Sequence, residues 1–268
     1  MQSIIAVVAA VLIAFGGYRA FRHESDLKPA LVTPHMDVHR EFSGDLSARF
    51  YRVTHAATAA RALAHPKLIA LTFDDGPYPM FTPLLLDELR EMHVPATFFL
   101  IGRDAEQWPG ISHAVEADGN EIADHTYSHP NLDQESPAQV RDEIIHGRDV
   151  LWRLTHDPSV RELMRPPHGR YTLQTLRVAQ DLGYRVVLWT DDSGDWRTLT
   201  PREIQANLLG SASAPDIVLL HSGKLATIEA LPAVVARFRK AGYTFVTAGE
   251  LLRAVAPAAI NHPRHLAV

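Results

Sequence analysis

Leu68-Ile69-Ala70-Leu71-Thr72-Phe73-Asp74-Asp75-Gly76-Pro77 is an apolar run that ends on two adjacent carboxylates and a Gly-Pro turn. The apolar half reads as a buried strand, and the acids fall at its C-terminal exit. Two charges at the mouth of a core cost stability unless something compensates them. A metal ion is one compensation, and the chain supplies further ligands fifty residues after Asp75. In His125-Thr126-Tyr127-Ser128-His129 the imidazoles stand at i and i+4, a spacing that predicts one face of a helical turn. Asp75, His125 and His129 then make a three-ligand site with one position open for water, the arrangement catalytic zinc favours.

From Lys67 onward, short apolar runs alternate with amphipathic ones. Strands are expected at 68–73, 96–101, 121–123, 163–165, 185–190, 217–220 and 244–246. Helices are expected at 82–92, 111–118, 137–154, 173–182, 201–209, 228–241 and 249–255. In the segment 228–241, Leu231, Val234, Val235 and Phe238 recur at three- and four-residue spacing, which marks an amphipathic helix. Seven strand-then-helix units imply α/β architecture with parallel strands and helices outside. Asp74, His125, Arg165, Asp192 and His221 each follow a strand candidate. Polar residues at many strand ends converge in a (β/α) barrel, whereas a doubly wound sheet gathers its site at one switch point. The barrel is the expected fold, as a single catalytic domain over residues 67–255.

The chain has 268 residues, 46% of them hydrophobic, enough for one substantial core. A net charge of −5 with no basic patch excludes nucleic acid as an expected partner. The absence of cysteine excludes disulfides, thiolate zinc sites and a cysteine nucleophile. Ile4 to Tyr18 is an uninterrupted apolar or glycine stretch, about 22 Å long as a helix and short of the ~30 Å hydrocarbon core. It reads as a signal or membrane-anchor segment over residues 1–18. Arg19 and Arg22 follow rather than precede it, a charge bias that by itself argues against export. Residues 19–66 are expected to be a stalk or wrapping segment, and 256–268 a C-terminal tail.

Singly, each motif has an ordinary explanation: a capped turn for Asp74-Asp75-Gly76-Pro77, solvated histidines, a rigid Pro-rich loop at Arg165–Tyr171, a turn at Asp192–Trp196. Together, each at the end of a successive strand, they are hard to obtain by chance. Thr72-Phe73-Asp74-Asp75-Gly76-Pro77, His125-Thr126-x-x-His129, Arg165-x-Pro167, Asp192-x-x-Asp195-Trp196 and Leu219-x-His221 resemble the five ordered motifs of the polysaccharide deacetylases, carbohydrate esterase family 4, whose catalytic unit is the NodB-like domain.

The resemblance covers about residues 67–253 and implies a distorted (β/α)7 barrel. It also implies a divalent metal, most often Zn2+ with Co2+, Ni2+ or Mn2+ as other occupants, and removal of acetyl groups from N-acetylated sugars. By the same resemblance Asp75, His125 and His129 are the metal ligands. Asp74 is the catalytic base, Arg165 holds it ionised, His221 is the general acid and Asp192 pairs with it. Asp195 is expected to shape the turn or to support the site from behind. The His168 backbone N–H would serve the oxyanion, while Trp196 and Leu219 would wall the acetyl pocket. Tyr127, with Tyr78 and Trp196, is a candidate for stacking on sugar rings. Two positions depart from the family pattern. His168 stands where an aromatic is usual, and Ser222 follows His221 where Asp or Asn is frequent.

The expected substrate is a GlcNAc-containing polysaccharide outside the cytoplasm, whether peptidoglycan, chitin-type or poly-N-acetylglucosamine. The protein would be membrane-anchored through its N-terminal segment, periplasmic or secreted. An O-deacetylase such as an acetylxylan esterase, or a non-catalytic glycan-binding homologue, are the rival readings. The sequence leaves the oligomeric state open.

Overall fold

The computed structural model describes residues 67–197, 199–211 and 214–255. The expected N-terminal segment 1–18, the stalk 19–66 and the tail 256–268 lie outside these described residues. Among the described residues, no helix is long and apolar enough to cross a membrane.

Strand β1 (Leu68–Asp74) is followed by helix α1 (Phe81–Met92), β2 (Ala96–Leu100), α2 (Gly102–Gln107), α3 (Pro109–Ala117) and β3 (Glu121–Asp124). Helix α4 (Pro137–Thr155), β4 (Leu163–Met164), α5 (Leu173–Asp181), β5 (Arg185–Val186) and β6 (Asp191–Asp192) come next. Then follow α6 (Pro201–Ser211), β7 (Asp216–His221), α7 (Leu225–Lys240), β8 (Thr244–Phe245) and α8 (Ala248–Val255). All pairings are parallel, in the order β5-β4-β3-β2-β1-β7-β6, with β8 on the start of β1. The strands curve into an open half-barrel with helices around it.

The opening has a local cause. The expected single strand 185–190 is split: Val187 still donates to Met164 O at 2.8 Å, but Thr190 donates to Ile217 O at 2.9 Å, on the opposite edge. The chain crosses the gap at Leu188 and Trp189, and two freed carbonyls need donors. Arg165 supplies them, through Nε to Val187 O at 3.0 Å and Nη2 to Leu188 O at 3.4 Å.

Every residue of β1 is buried, as a strand covered on both faces requires. Its side chains alternate between two cores. Ile69, Leu71 and Phe73 face outward onto Leu85 and Leu89 of α1 and Leu231, Val234, Val235 and Phe238 of α7. Leu68 and Ala70 face inward with Phe99, Ala123, Leu163, Val187 and Ile217, where Leu251, Leu252 and Val255 of α8 pack against them. Full burial of each large apolar side chain stabilises the fold by roughly 1.5–3 kcal/mol. Glu121 and Thr97, inward residues at the strand starts, accept from the first N–H groups of α8: Gly249 N at 2.9 Å and Ala248 N at 2.8 Å. Apolar packing thus closes the strand N-terminal end, and the polar inward residues Thr72, Asp74, His125, Arg165 and His221 collect at the C-terminal end.

Candidate active site and metal centre

Asp74 is the last residue of β1 and is 5% exposed. Arg165, fully buried after β4, reaches it with Nη1 at 2.6 Å and also donates to Thr72 Oγ1 at 2.9 Å. The guanidinium lies over Phe99 at 4.1 Å, with Trp189 at 5.6 Å. Its charge is therefore paired, hydrogen-bonded and stacked, which a buried arginine requires. A planar donor fork meeting two carbonyls, a hydroxyl and a carboxylate fixes Asp74 as well.

At Asp75 and Gly76 the backbone turns left-handed, with φ of 67° and 73°. Asp and Gly are residue types that enter this region most readily. The carboxylate of Asp75 meets His129 Nε2 at 3.2 Å and His125 Nε2 at 3.7 Å. One ligand atom from each of Asp75, His125 and His129 can be chosen so that all lie within 4.8 Å of one another. His125 Nδ1 bonds the carbonyl of Arg165 at 2.8 Å, so Nδ1 carries the proton and the Nε2 lone pair faces the other two ligands. Burial depresses the pKa of His125 to about 4 against the pull of Asp74, keeping the ring neutral and able to ligate. Burial works to raise the Asp75 carboxyl, but the His129 hydrogen bond and the His125 and His129 rings outweigh it and hold it well below the usual range. One carboxylate and two imidazoles suit a divalent cation of borderline softness.

The expected helical turn at 125–129 is not there. Thr126 and His129 adopt φ of 67° and 63°, and the segment is an irregular loop. The i, i+4 spacing brings the rings together by another route, with centroids 4.9 Å apart.

His221 ends β7, opposite Asp74 in register. Its Nδ1 lies 2.7 Å from Asp195 Oδ1, and its backbone N–H donates to Asp195 Oδ2 at 2.8 Å, which also accepts from Thr227 Oγ1 at 2.6 Å. Burial would lower the His221 pKa, but the Asp195 carboxylate, helped by Asp74 and Asp75, raises it to about 9. The expected partner, Asp192, does not reach His221. It is exposed, accepts from Gly194 N at 2.8 Å and lies 3.4 Å from Trp196 Nε1. The physical reason is the reversal at Gly194, φ 71°, which Asp192 caps and which returns Asp195 beneath β7. An Asp-x-x-Asp pattern alone cannot distinguish the capping acid from the pairing one.

Leu219 lies one pleat below His221 on the same face and is 3% exposed. Trp196 is 52% exposed, with the Arg197 guanidinium over its ring at 5.0 Å. His168 takes φ 58° in the turn after β4, and its ring packs edge-on against His129 at 4.5 Å. Tyr127 does not join the ligands. Its ring stacks on His146 at 3.6 Å and its hydroxyl reaches Glu106 at 3.3 Å. Thr72 and Trp189, unforeseen in the sequence, complete the surroundings of Arg165; a Cβ on Gly169 would come within 2.6 Å of the Trp189 ring.

A family model described as polysaccharide deacetylase matches residues 62–187. Two peptidoglycan-N-acetylglucosamine deacetylases of Bacillus cereus are similar. One is 37% identical over 67% of this chain and 66% of its own length, the other 36% identical over 70% and 89%. A chitooligosaccharide deacetylase of Azorhizobium caulinodans is 37% identical over 62% of this chain and 78% of that protein. A solved peptidoglycan N-acetylglucosamine deacetylase superposes with a TM-score of 0.68 at 33% identity, covering 72% of this chain and 92% of the other.

Proposed function

The chain belongs to the polysaccharide deacetylase family, and from that premise we propose that it removes N-acetyl groups from a GlcNAc-containing polysaccharide, with peptidoglycan the first candidate. The observation that carries this reading is the pairing of two groups at one ligand cluster, Asp75, His125 and His129. Asp74, fixed by Arg165, comes 3.8 Å from His125 Nε2, and His221, charged through Asp195, stands opposite Asp74 in strand register.

A divalent ion held by Asp75, His125 and His129, with Zn2+ ahead of Co2+, Ni2+ and Mn2+, would polarise the acetyl carbonyl and acidify a water. Asp74 is the base: its carboxylate takes a proton from the attacking water while the water oxygen bonds the carbonyl carbon. Arg165 keeps that carboxylate aimed, through a charge-assisted bond of 2.6 Å. The resulting oxyanion receives the backbone N–H of His168. As the C–N bond breaks, His221 delivers its proton to the leaving nitrogen, giving acetate and a free amine. Leu219 bounds the space for the acetyl methyl, and Trp196 at the rim offers a face to a sugar ring.

A basic leaving group is what favours the amide over the ester reading. An amine departs only when protonated, and His221 is a histidine held largely as imidazolium at neutral pH. The reaction is assigned outside the cytoplasm, where such glycans are found, with the apolar stretch Ile4–Tyr18 as the export or anchoring element.

The test is acetate release from GlcNAc oligomers and from peptidoglycan by zinc-loaded protein. Asp74→Asn is expected to bind zinc and lose roughly 10²–10⁴-fold in rate, the usual scale of general-base catalysis. Release at the wild-type rate by that variant overturns the base assignment. No release by the wild-type protein from any N-acetylated glycan favours the glycan-binding reading.

A further inference from the structure

We propose that Glu143 of α4 is the positioning residue of the metal loop, gripping residues 127 and 128 so that His129 faces Asp75; the inference rests on the metal-site reading above. The loop needs outside support. Two non-glycine residues, Thr126 and His129, sit in the left-handed region within five residues, each at a cost of order 1–3 kcal/mol. Such a loop persists only if its surroundings over-determine it. Three of its donors end on one residue: Tyr127 N on the main-chain oxygen of Glu143 at 3.1 Å, Ser128 N on Oε2 at 2.8 Å and Ser128 Oγ on Oε1 at 2.7 Å. Hydrogen bonds to a carboxylate are the stronger kind.

Gly147 stands one helical turn after Glu143 on the same face of α4. A Cβ there would come 2.6 Å from Asp124 Oδ1 and 2.7 Å from the carbonyl carbon of Thr126. A glycine in a helix interior is costly, so its place here is explained by close approach. It lets α4 lie near enough for Glu143 to reach Ser128. Beside α4, against which it packs at Gly102 and Gly147, α2 donates from Gly102 N and Arg103 N to the carbonyls of Thr126 and Tyr127, both at 2.9 Å. The loop is thus held by two helices, and the carboxylate is the part of that grip that one substitution removes cleanly.

The test is Zn2+ affinity of metal-stripped full-length protein, read by competition with a chromophoric chelator, alongside thermal unfolding without metal. Glu143→Ala is expected to fold and to bind Zn2+ roughly 10–100-fold more weakly, the range for partners that orient ligands. Its kcat at saturating zinc should recover towards wild type. Glu143→Gln, which keeps one acceptor for Ser128 N and offers a donor to Ser128 Oγ, should restore most of the affinity. Ser128→Ala, a milder change, should show a smaller loss in the same direction and serves if Glu143→Ala does not fold. Unchanged Zn2+ affinity in Glu143→Ala, or in Ser128→Ala where the former is unfolded, overturns the proposal. A wild-type protein that binds no Zn2+ overturns the metal-site reading itself.

Discussion

Replacing Asp195 by Asn tests the acid side of the site directly. In the wild-type protein the Asp195 carboxylate raises His221 from 6.5 to about 9 against the opposing effect of burial. That difference is worth about 3 kcal/mol in favour of the imidazolium. Asn has the same shape but no charge. Its oxygen can keep His221 N–H and Thr227 Oγ–H, leaving its NH2 group facing Nδ1, an arrangement that favours the neutral ring. If the pKa falls only to its ordinary value of about 6.5, the protonated fraction at pH 7.5 drops about tenfold. A general acid works protonated, so the rate declines as pH rises through its pKa, and Asp195→Asn should move this alkaline limb to lower pH. The assays are an NMR titration of His221 in metal-free protein and a pH–rate profile of acetate release. Stability follows with the same sign. A raised histidine pKa stabilises the fold fully below about 6.5, and that gain is lost as pH rises through about 9, so the dependence should flatten in the variant. Asp192→Asn should leave all three readouts unchanged. A shift with Asp192→Asn and none with Asp195→Asn would refute the reasoning.

Two further outcomes are expected. Arg165→Ala leaves a buried carboxylate and two carbonyls without their donor and should destabilise the protein by about 3–5 kcal/mol, measured by denaturant unfolding. A loss below about 1 kcal/mol would mean that water replaces the guanidinium. His221→Ala should cost amide hydrolysis far more than hydrolysis of an activated acetate ester, because the ester leaving group needs no proton. Equal losses on both substrates, measured on one preparation, would remove His221 as the acid.

The strand-helix alternation and the pairing of acids with a turn were legible in the chain because they depend on short-range chemistry. Apolar runs bounded by Gly and Pro select strands. The outward and inward alternation of β1 follows from its pleat alone. The sequence could not reveal that residues 185–190 divide between two edges of the sheet, since Val187 and Thr190 look equally strand-like and only their partners differ. Nor could spacing show that His125 and His129 meet through left-handed turns. Two imidazoles four residues apart fit a helix equally well, and the grip of Glu143 that favours the loop comes from another element.

Sequence by itself singled out Asp75, His125 and His129 as candidate ligands, because a carboxylate and paired imidazoles at strand exits have few other uses, and the motif resemblance singled out Asp74 and His221 for the proposed proton transfers. Tertiary structure alone decided which aspartate charges His221 and what keeps Arg165 buried. It also decided which helix reaches the loop 125–129, through Glu143 of α4 on Ser128. Those choices turn on distances of a few ångströms between residues far apart in the chain, where a hydrogen bond or ion pair is strong at 2.7 Å and negligible one residue further along.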